Sequence, residues 1–118
     1  MNNYKELIVW EKSMLLVELV YEISSLFPPE EKFGLTSQIR RSAVSIPSNI
    51  AEGAGRNSNK EFRNFLSIAN GSLNEMNTQL ELSKRFGFVK QESLETVFVL
   101  ANEVQKMIYA LIKKFSNV

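Results

Sequence analysis

Five basic side chains between residues 40 and 63 are the groups best suited to binding a charged partner. They are Arg40, Arg41, Arg56, Lys60 and Arg63. Only Glu52 and Glu61 oppose them in this stretch, which therefore has a net charge of +3. Basic side chains can bind phosphate groups with an affinity that falls as the salt concentration rises. They can also be surface charges or members of salt bridges between subunits, and the small size of the excess favours this second interpretation.

A row of polar side chains follows one face of the same segment. Its members are Gln38, Arg41, Ser45, Asn49 and Glu52, spaced by three or four residues as on one face of a helix. A solvated helix face usually carries mainly lysine and glutamate. Three interpretations stay open: a solvated surface, a hydrogen-bonded network within the chain or between subunits, and a site for a ligand or partner. In the second, Glu52 pairs with Arg41 or Arg56 of its own or of a neighbouring chain.

The composition argues against catalysis. The 118 residues include no cysteine, no histidine and no aspartate. The commonest general base and the commonest metal ligand are therefore missing, as is every Ser-His-Asp arrangement. Di-iron bundles need Glu-x-x-His pairs, which a chain without histidine cannot supply. We therefore predict that the protein is not an enzyme and that it uses no cofactor and no metal.

Apolar spacing predicts four helices that position these residues. The predicted helices are helix 1 at Tyr4–Leu26, helix 2 at Leu35–Ala54, helix 3 from the residue after Ser58 to Phe86, and helix 4 at Glu92–Phe115. Pro28 and Pro29 end helix 1 because proline cannot continue the hydrogen-bond ladder. Ser58 and Glu61 form a capping-box pattern at the start of helix 3, and Gly87 stops that helix.

Three of these helices carry one continuous apolar row each. The row of helix 2 is Leu35, Ile39, Ala43, Ile46 and Ile50. The row of helix 3 is Phe62, Leu66, Ala69, Leu73, Met76, Leu80 and Ser83. The row of helix 4 is Leu94, Val97, Ala101, Val104, Ile108, Leu111 and Phe115. The last two rows alternate steps of four and three, which is the spacing of helices that pack along their length.

Helix 1 has a broader apolar face than the others. Its main predicted row is Leu7, Trp10, Met14, Val17 and Tyr21, and a second row contains Leu16, Val20, Ile23 and Phe27. A face of this width predicts burial on two sides, one within the domain and one against a neighbouring subunit.

Helix 2 contains the least regular segment of the chain. Pro47 lies in its interior, where it removes one backbone hydrogen bond and is expected to bend the helix. Gly53 and Gly55 are expected to end it. The sequence thus predicts an all-α fold, an up-down-up-down antiparallel four-helix bundle with helix 2 bent at Pro47, in a single domain over residues 1–118. No signal peptide or membrane-spanning segment is recognisable, so a cytoplasmic protein is expected.

Residues Gln38 to Gly53 read QIRRSAVSIPSNIAEG. This block resembles the four-helix-bundle proteins encoded in intervening sequences of bacterial 23S rRNA genes, and the similarity extends over nearly the whole chain. Other matching segments are the region of Trp10, Gly55-Arg56, Lys60-Glu61-Phe62 and Gly71 to Glu75. The resemblance implies a bundle that assembles into a ring of five subunits. It also implies kinship with the accessory variability protein of diversity-generating retroelements, which binds a reverse transcriptase and nucleic acid.

From the residues and the resemblance together we predict a non-enzymatic, homo-oligomeric bundle, most simply a pentamer, that acts as an assembly or adaptor module. The expected partner is therefore a further copy of the chain. RNA or a nucleoprotein, bound through a basic rim that forms on oligomerisation, is the alternative partner.

Overall fold

The computed structural model describes residues 3–116, and four α-helices make up most of them. The helices are α1 at Ile8–Ser24, α2 at Leu35–Ala54, α3 at Asn59–Arg85 and α4 at Gln91–Ser116. Two short 3-10 turns, Tyr4–Glu6 and Pro29–Glu31, precede α1 and α2. No strand occurs in the described part of the chain, so the predicted all-α fold is confirmed.

The core consists of the apolar rows that the sequence predicts for α2, α3 and α4. Every member of the α2 and α3 rows is buried. In α4 the row is buried from Leu94 to Ile108, while Leu111 and Phe115 are partly buried against the same core. These rows are buried because a residue at every third or fourth position returns to the same side of a helix.

Each helix packs against two others. α1 contacts α2 and α4, and α3 contacts the same two helices. Between α2 and α3, Ser42 contacts Gln79 and Ser45 contacts Ser72. Residue numbers therefore rise along α2 in the direction in which they fall along α3. Between α3 and α4, Asn70 donates to Tyr109 and Gln105 donates to Asn74, which gives the same relation. These contacts favour the predicted up-down-up-down order, which stays a prediction, as does the bend at Pro47.

The start of helix 1 differs from the prediction. Tyr4–Glu6 form a 3-10 turn whose preceding residue, Asn3, accepts a hydrogen bond from the backbone N–H of Lys5 through its side chain. Leu7 is extended, and α1 begins only at Ile8. Tyr4 consequently lies beside Trp10, with ring centroids 5.2 Å apart. Helix 1 is therefore shorter at its start than its apolar spacing predicts.

The inward face of α1 also differs from the main row that the sequence predicts. Its buried residues are Val9, Ser13, Leu16, Val20, Ile23 and Ser24. Met14 and Tyr21 from the predicted main row are 38% and 42% exposed. Ser13 occupies a core position because its hydroxyl donates to the carbonyl of Val9, which satisfies the buried polar group. The predicted second row thus faces the core, and part of the predicted main row faces outward.

The boundaries of α3 follow the predicted signals. The hydroxyl of Ser58 accepts a hydrogen bond from the N–H of Glu61 at 3.1 Å, while the Glu61 carboxylate accepts from the same hydroxyl. At the other end Gly87 has a φ of +79°, a left-handed conformation that glycine adopts without steric cost. The N–H of Phe88 then bonds to the carbonyl of Ser83, and the N–H of Gly87 to that of Lys84, as in a Schellman motif.

Gly53 has a different role from the predicted one. It lies inside α2 and does not end it; Gly55 is the C-cap residue. A Cβ atom on Gly53 would lie 2.7 Å from the Cβ of Phe65 and 3.0 Å from Cδ1 of Phe62. Residue 53 must therefore lack a side chain so that α3 can approach α2 closely at this point.

None of the helices within residues 3–116 combines the length and the apolar character that crossing a bilayer would require.

Replacing Leu73 or Ile108 with alanine should strongly destabilise the bundle. Both side chains are fully buried, so truncation loses their transfer free energy and leaves a cavity. We expect a loss of about 2–5 kcal/mol in the free energy of unfolding, measured by urea denaturation. A loss below about 1 kcal/mol would contradict the assignment of these residues to the core.

Alanine at Gly53 and alanine at Gly71 should have opposite effects. Gly53→Ala forces α2 and α3 apart and should cost about 1–3 kcal/mol. Gly71 lies exposed in the middle of α3 with open space where a Cβ would be. Gly71→Ala should therefore stabilise by about 0.5–1 kcal/mol, since glycine weakens a helix interior. Thermal melts of the two variants test this, and equal effects would show that α2 and α3 can separate without cost.

Candidate interaction surface

The predicted polar row of α2 is divided among three environments. Ser45 and Asn49 are half-buried and belong to a network between α2 and α3. The amide of Asn49 donates to the carbonyl and to the hydroxyl of Ser45, and the hydroxyls of Ser45 and Ser72 lie 2.9 Å apart. Gln38 and Arg41 are exposed. The hydrogen-bonded network is thus present for two of the five residues.

Glu52 belongs to a separate charged cluster at the α2–α3 turn. Its carboxylate lies 2.7 Å from the guanidinium of Arg56, which also lies 3.8 Å from Glu61. The same guanidinium is stacked 5.0 Å from the ring centroid of Phe65. Of the two partners predicted for Glu52, Arg56 of the same chain is therefore the one that it contacts. No group of three or more metal-ligating side chains occurs in residues 3–116.

The five predicted basic residues do not form one continuous surface. Ala54, the last residue of α2, is thirteen positions beyond Arg41, which is about 20 Å at 1.5 Å per residue. Arg40 and Arg41 therefore lie far from Arg56, Lys60 and Arg63, which lie around the α2–α3 turn and the start of α3.

Three of the five basic side chains have partners within the chain. Arg63 donates to the carbonyl of Phe115 at 2.6 Å and so binds the last turn of α4. Arg40 donates through Nε to the hydroxyl of Ser24 at 2.8 Å, and its guanidinium stacks 4.4 Å from the ring centroid of Tyr21. Arg56 is neutralised by the two glutamates described above. Arg41 and Lys60 are exposed to solvent.

An apolar groove lies between α1 and α2. It has a volume of about 370 Å³ and is lined by Tyr4, Trp10, Met14, Val17, Val44, Pro47, Ser48 and Ala51. Val44 is 41% exposed and Met14 38%, so the walls of the groove are accessible to a partner. Pro47 is buried at its base and contributes an apolar ring in place of a backbone N–H donor. We call this feature the apolar groove.

A basic cleft of about 510 Å³ continues from the apolar groove toward the start of α2. Its lining residues are Tyr21, Lys32, Phe33, Thr36, Ser37, Arg40, Arg41 and Val44. Val44 lines both features, so they form one surface along α1 and α2. Lys32 and Phe33 lie in the α1–α2 connection and were not among the predicted site residues. Phe33 is 88% exposed, and no periodicity in the sequence could have placed it here.

Comparison with known proteins identifies the family. The family model of the 23S rRNA-intervening sequence proteins matches residues 5–110. The chain belongs to this family. A solved structure of a protein of unknown function from the S23 ribosomal protein family of Bacteroides thetaiotaomicron VPI-5482 is 30% identical. The alignment covers 90% of this chain and 99% of that one, with a TM-score of 0.82. No curated protein is significantly similar to the chain.

One polar contact of this family member could not be predicted from helical spacing. Ser42 and Gln79 are 3% and 6% exposed, and the hydroxyl of Ser42 lies 2.7 Å from Oε1 of Gln79. Both residues lie beside apolar rows, and only the packing of α2 on α3 brings them together. In the sequence, the only indication of this contact is that each of the two polar residues is adjacent to a residue of an apolar row, Ser42 to Ala43 and Gln79 to Leu80.

A double-mutant cycle should detect the contact between Ser42 and Gln79. Ser42→Ala leaves the buried carbonyl oxygen of Gln79 without this donor and should cost about 1–3 kcal/mol. Adding Gln79→Leu removes the unsatisfied acceptor, so the double variant should lose less than the sum of the two single losses. Urea denaturation of the four proteins gives the coupling energy. Strict additivity would mean that the hydrogen bond contributes nothing to the stability of the bundle.

Proposed function

We propose that the chain is a non-enzymatic assembly module whose copies associate through the apolar groove between α1 and α2, most simply into a pentameric ring. The observation that carries the proposal is the accessible apolar lining of this groove, formed chiefly by Trp10, Met14, Val17 and Val44. Burial of apolar surface of this kind against a partner removes it from water and stabilises the complex. The ring of five subunits that the family resemblance implies supports the stoichiometry.

The position of α1 supports association on more than one side. The inner row of α1 is already buried in the core of its own chain. Its outer side still exposes Ile8 at 63% and Leu15 at 46%, in addition to Met14 and Tyr21. A helix that exposes apolar side chains on both flanks of its buried row is typical of one that lies between a domain core and a neighbouring subunit.

A second copy of the chain is the occupant that the distribution of charge favours. Met1 to Lys32 contain three lysines and six glutamates, a net charge of −3, whereas Arg40 to Arg63 have a net charge of +3. Copies of one chain can therefore bring surfaces of opposite charge together, which promotes association and sets its register. Two different surfaces in contact give a head-to-tail arrangement, which closes into a ring when the rotation between neighbouring subunits is a whole fraction of a full turn.

The adaptor role follows from what the described surface offers. Because Arg56 is paired with Glu52 and Arg63 is held by the carbonyl of Phe115, two of the five predicted basic residues have partners in their own chain that compete with phosphate groups. Binding of RNA or a nucleoprotein therefore rests on Arg40, Arg41 and Lys60. The assembled ring would instead present its outer surface to a partner protein. It would hold that partner in position without catalysing a reaction.

Placing a charge in the apolar groove should dissociate the assembly. Sedimentation velocity of the unaltered chain should show an oligomer, and Met14→Glu combined with Val44→Glu should shift it to the monomer because the groove can no longer lose its water at low cost. Ile68→Glu is the matched control, since Ile68 is 51% exposed on α3, outside the groove. A stable monomer of the unaltered chain at high concentration would overturn the proposal.

A further inference from the structure

The basic cleft carries three cations that no carboxylate neutralises within residues 3–116. The ion pairs of the described residues join Lys12 to Glu103, Arg56 to Glu52 and Glu61, and Lys84 to Glu81. None of them includes Lys32, Arg40 or Arg41, which all line the cleft. The nearby carboxylate of Glu31 instead accepts a hydrogen bond from the N–H of Leu35. The cleft is therefore a concentrated positive site.

Arg40 is held in place without losing its charge. Its partners are a hydroxyl, the carbonyl of Tyr21 and the ring of the same tyrosine, and all three are uncharged. An arginine has five N–H donors in a planar fork, so donors remain for a carboxylate that enters the cleft. Because the Arg40 side chain is already ordered, it would lose little conformational entropy when a partner binds there.

The partner of this surface must be acidic at one end and apolar beyond it. The basic cleft and the apolar groove meet at Val44, so a helix lying along α1 and α2 would contact cations first and apolar side chains next. Arg41 and Val44 are three residues apart, which is about 4.5 Å along α2. The acidic and apolar residues of the partner should therefore be about one helical turn apart.

The first half of α4 has this character. Residues 91–105 contain Glu92, Glu95 and Glu103 and no basic residue, a net charge of −3. Val99 lies one turn beyond Glu95 and is 70% exposed, and it lines a shallow depression of about 400 Å³ with Glu95, Thr96, Leu100 and Glu103. Glu92 and Glu95 are exposed and take part in none of the ion pairs given above. We call this face the acidic face of α4.

We propose that the basic cleft and apolar groove of one subunit bind the acidic face of α4 of the next subunit, with Glu95 at Arg41 and Val99 at Val44. The inference rests on the proposed homo-oligomeric function and names the surface that fills the groove. The contact joins two different patches, so an open chain of subunits keeps one free patch at each end until the ring closes. Lys12 of α1 already binds Glu103 of α4 in the same chain, so the two patches flank α1 on its two sides.

Exchange of charge across the contact tests the proposal. Arg41→Glu and Glu95→Arg should each place like charges together and weaken association about tenfold or more. The double variant restores opposite charges and should recover association to within a few-fold of the unaltered chain. Lys60→Glu and Glu75→Arg reverse exposed charges on α3 and serve as controls that should leave association unchanged. Sedimentation equilibrium over a range of concentrations measures all of these variants.

Cross-linking tests the same contact without changing charge. The chain has no cysteine, so Val44→Cys combined with Val99→Cys introduces the only two thiols. A disulfide needs the Cα atoms within about 7 Å, so mild oxidation should give a ladder of covalent oligomers on a non-reducing gel if the groove meets α4. Ile68→Cys with Val99→Cys should stay monomeric on the same gel.

The outcomes separate this inference from the proposed function. If the unaltered chain is oligomeric but the double charge variant is not rescued and no ladder forms, the contact is wrong while the assembly stands. If the unaltered chain is monomeric, the proposed function fails and this inference fails with it. Titration with a fluorescent single-stranded RNA is the remaining measurement. If Arg41→Glu abolishes RNA binding and leaves the assembly intact, the cleft is a nucleic-acid site and the inference is overturned.

Discussion

The close approach of α2 and α3 is the constraint on which the rest of the bundle depends. At Gly53 the backbone of α2 lies against the side chains of Phe62 and Phe65, with no room for a Cβ atom. The same pair of helices encloses the Ser42–Gln79 hydrogen bond and the half-buried contact of Ser45 with Ser72. A helix pair held by both close packing and satisfied buried polar groups has one preferred register, because sliding would break both at once.

That register decides which side chains of α2 remain available at the surface. With the row from Leu35 to Ile50 directed into the core and Ser45 and Asn49 directed toward α3, the exposed positions of α2 include Arg41 and Val44. These two residues line the surface that α2 shares with α1. The packing of α2 against α3 thus determines both the buried face of α2 and the face that is available to a partner. Pro47 serves both, since its ring is buried and also lines the apolar groove.

Much of the fold was predictable because helix formation and the spacing of apolar residues along each helix are local properties of the sequence. The apolar rows of α2 and α3 and the limits of α2 agree with the structure, since periodicity, capping residues and glycine signals act within a few residues. The start of α1 was predicted less accurately because the side chain of Asn3 accepts a hydrogen bond from the backbone N–H of Lys5, and this local bond competes with helix formation. The choice between the two apolar rows of α1 required knowing where α2 and α4 lie.

The candidate site was predictable in its residue types and not in its grouping. The five basic residues are close in sequence, yet α2 separates Arg41 from the α2–α3 turn by about 20 Å, and three of them are occupied by intramolecular partners. Lys32 and Phe33 joined the site from a connecting loop that has no periodicity.

The sequence by itself determined the four helices, the core rows of α2, α3 and α4, the absence of histidine, cysteine and aspartate, and the membership of the family that its central block indicates. The tertiary structure alone decided which face of α1 is buried, why residue 53 is glycine, and which cations keep an uncompensated charge. The physical reason is range. Helix formation depends on neighbours within about four residues, whereas burial, close approach and ion pairing depend on side chains brought together from distant parts of the chain.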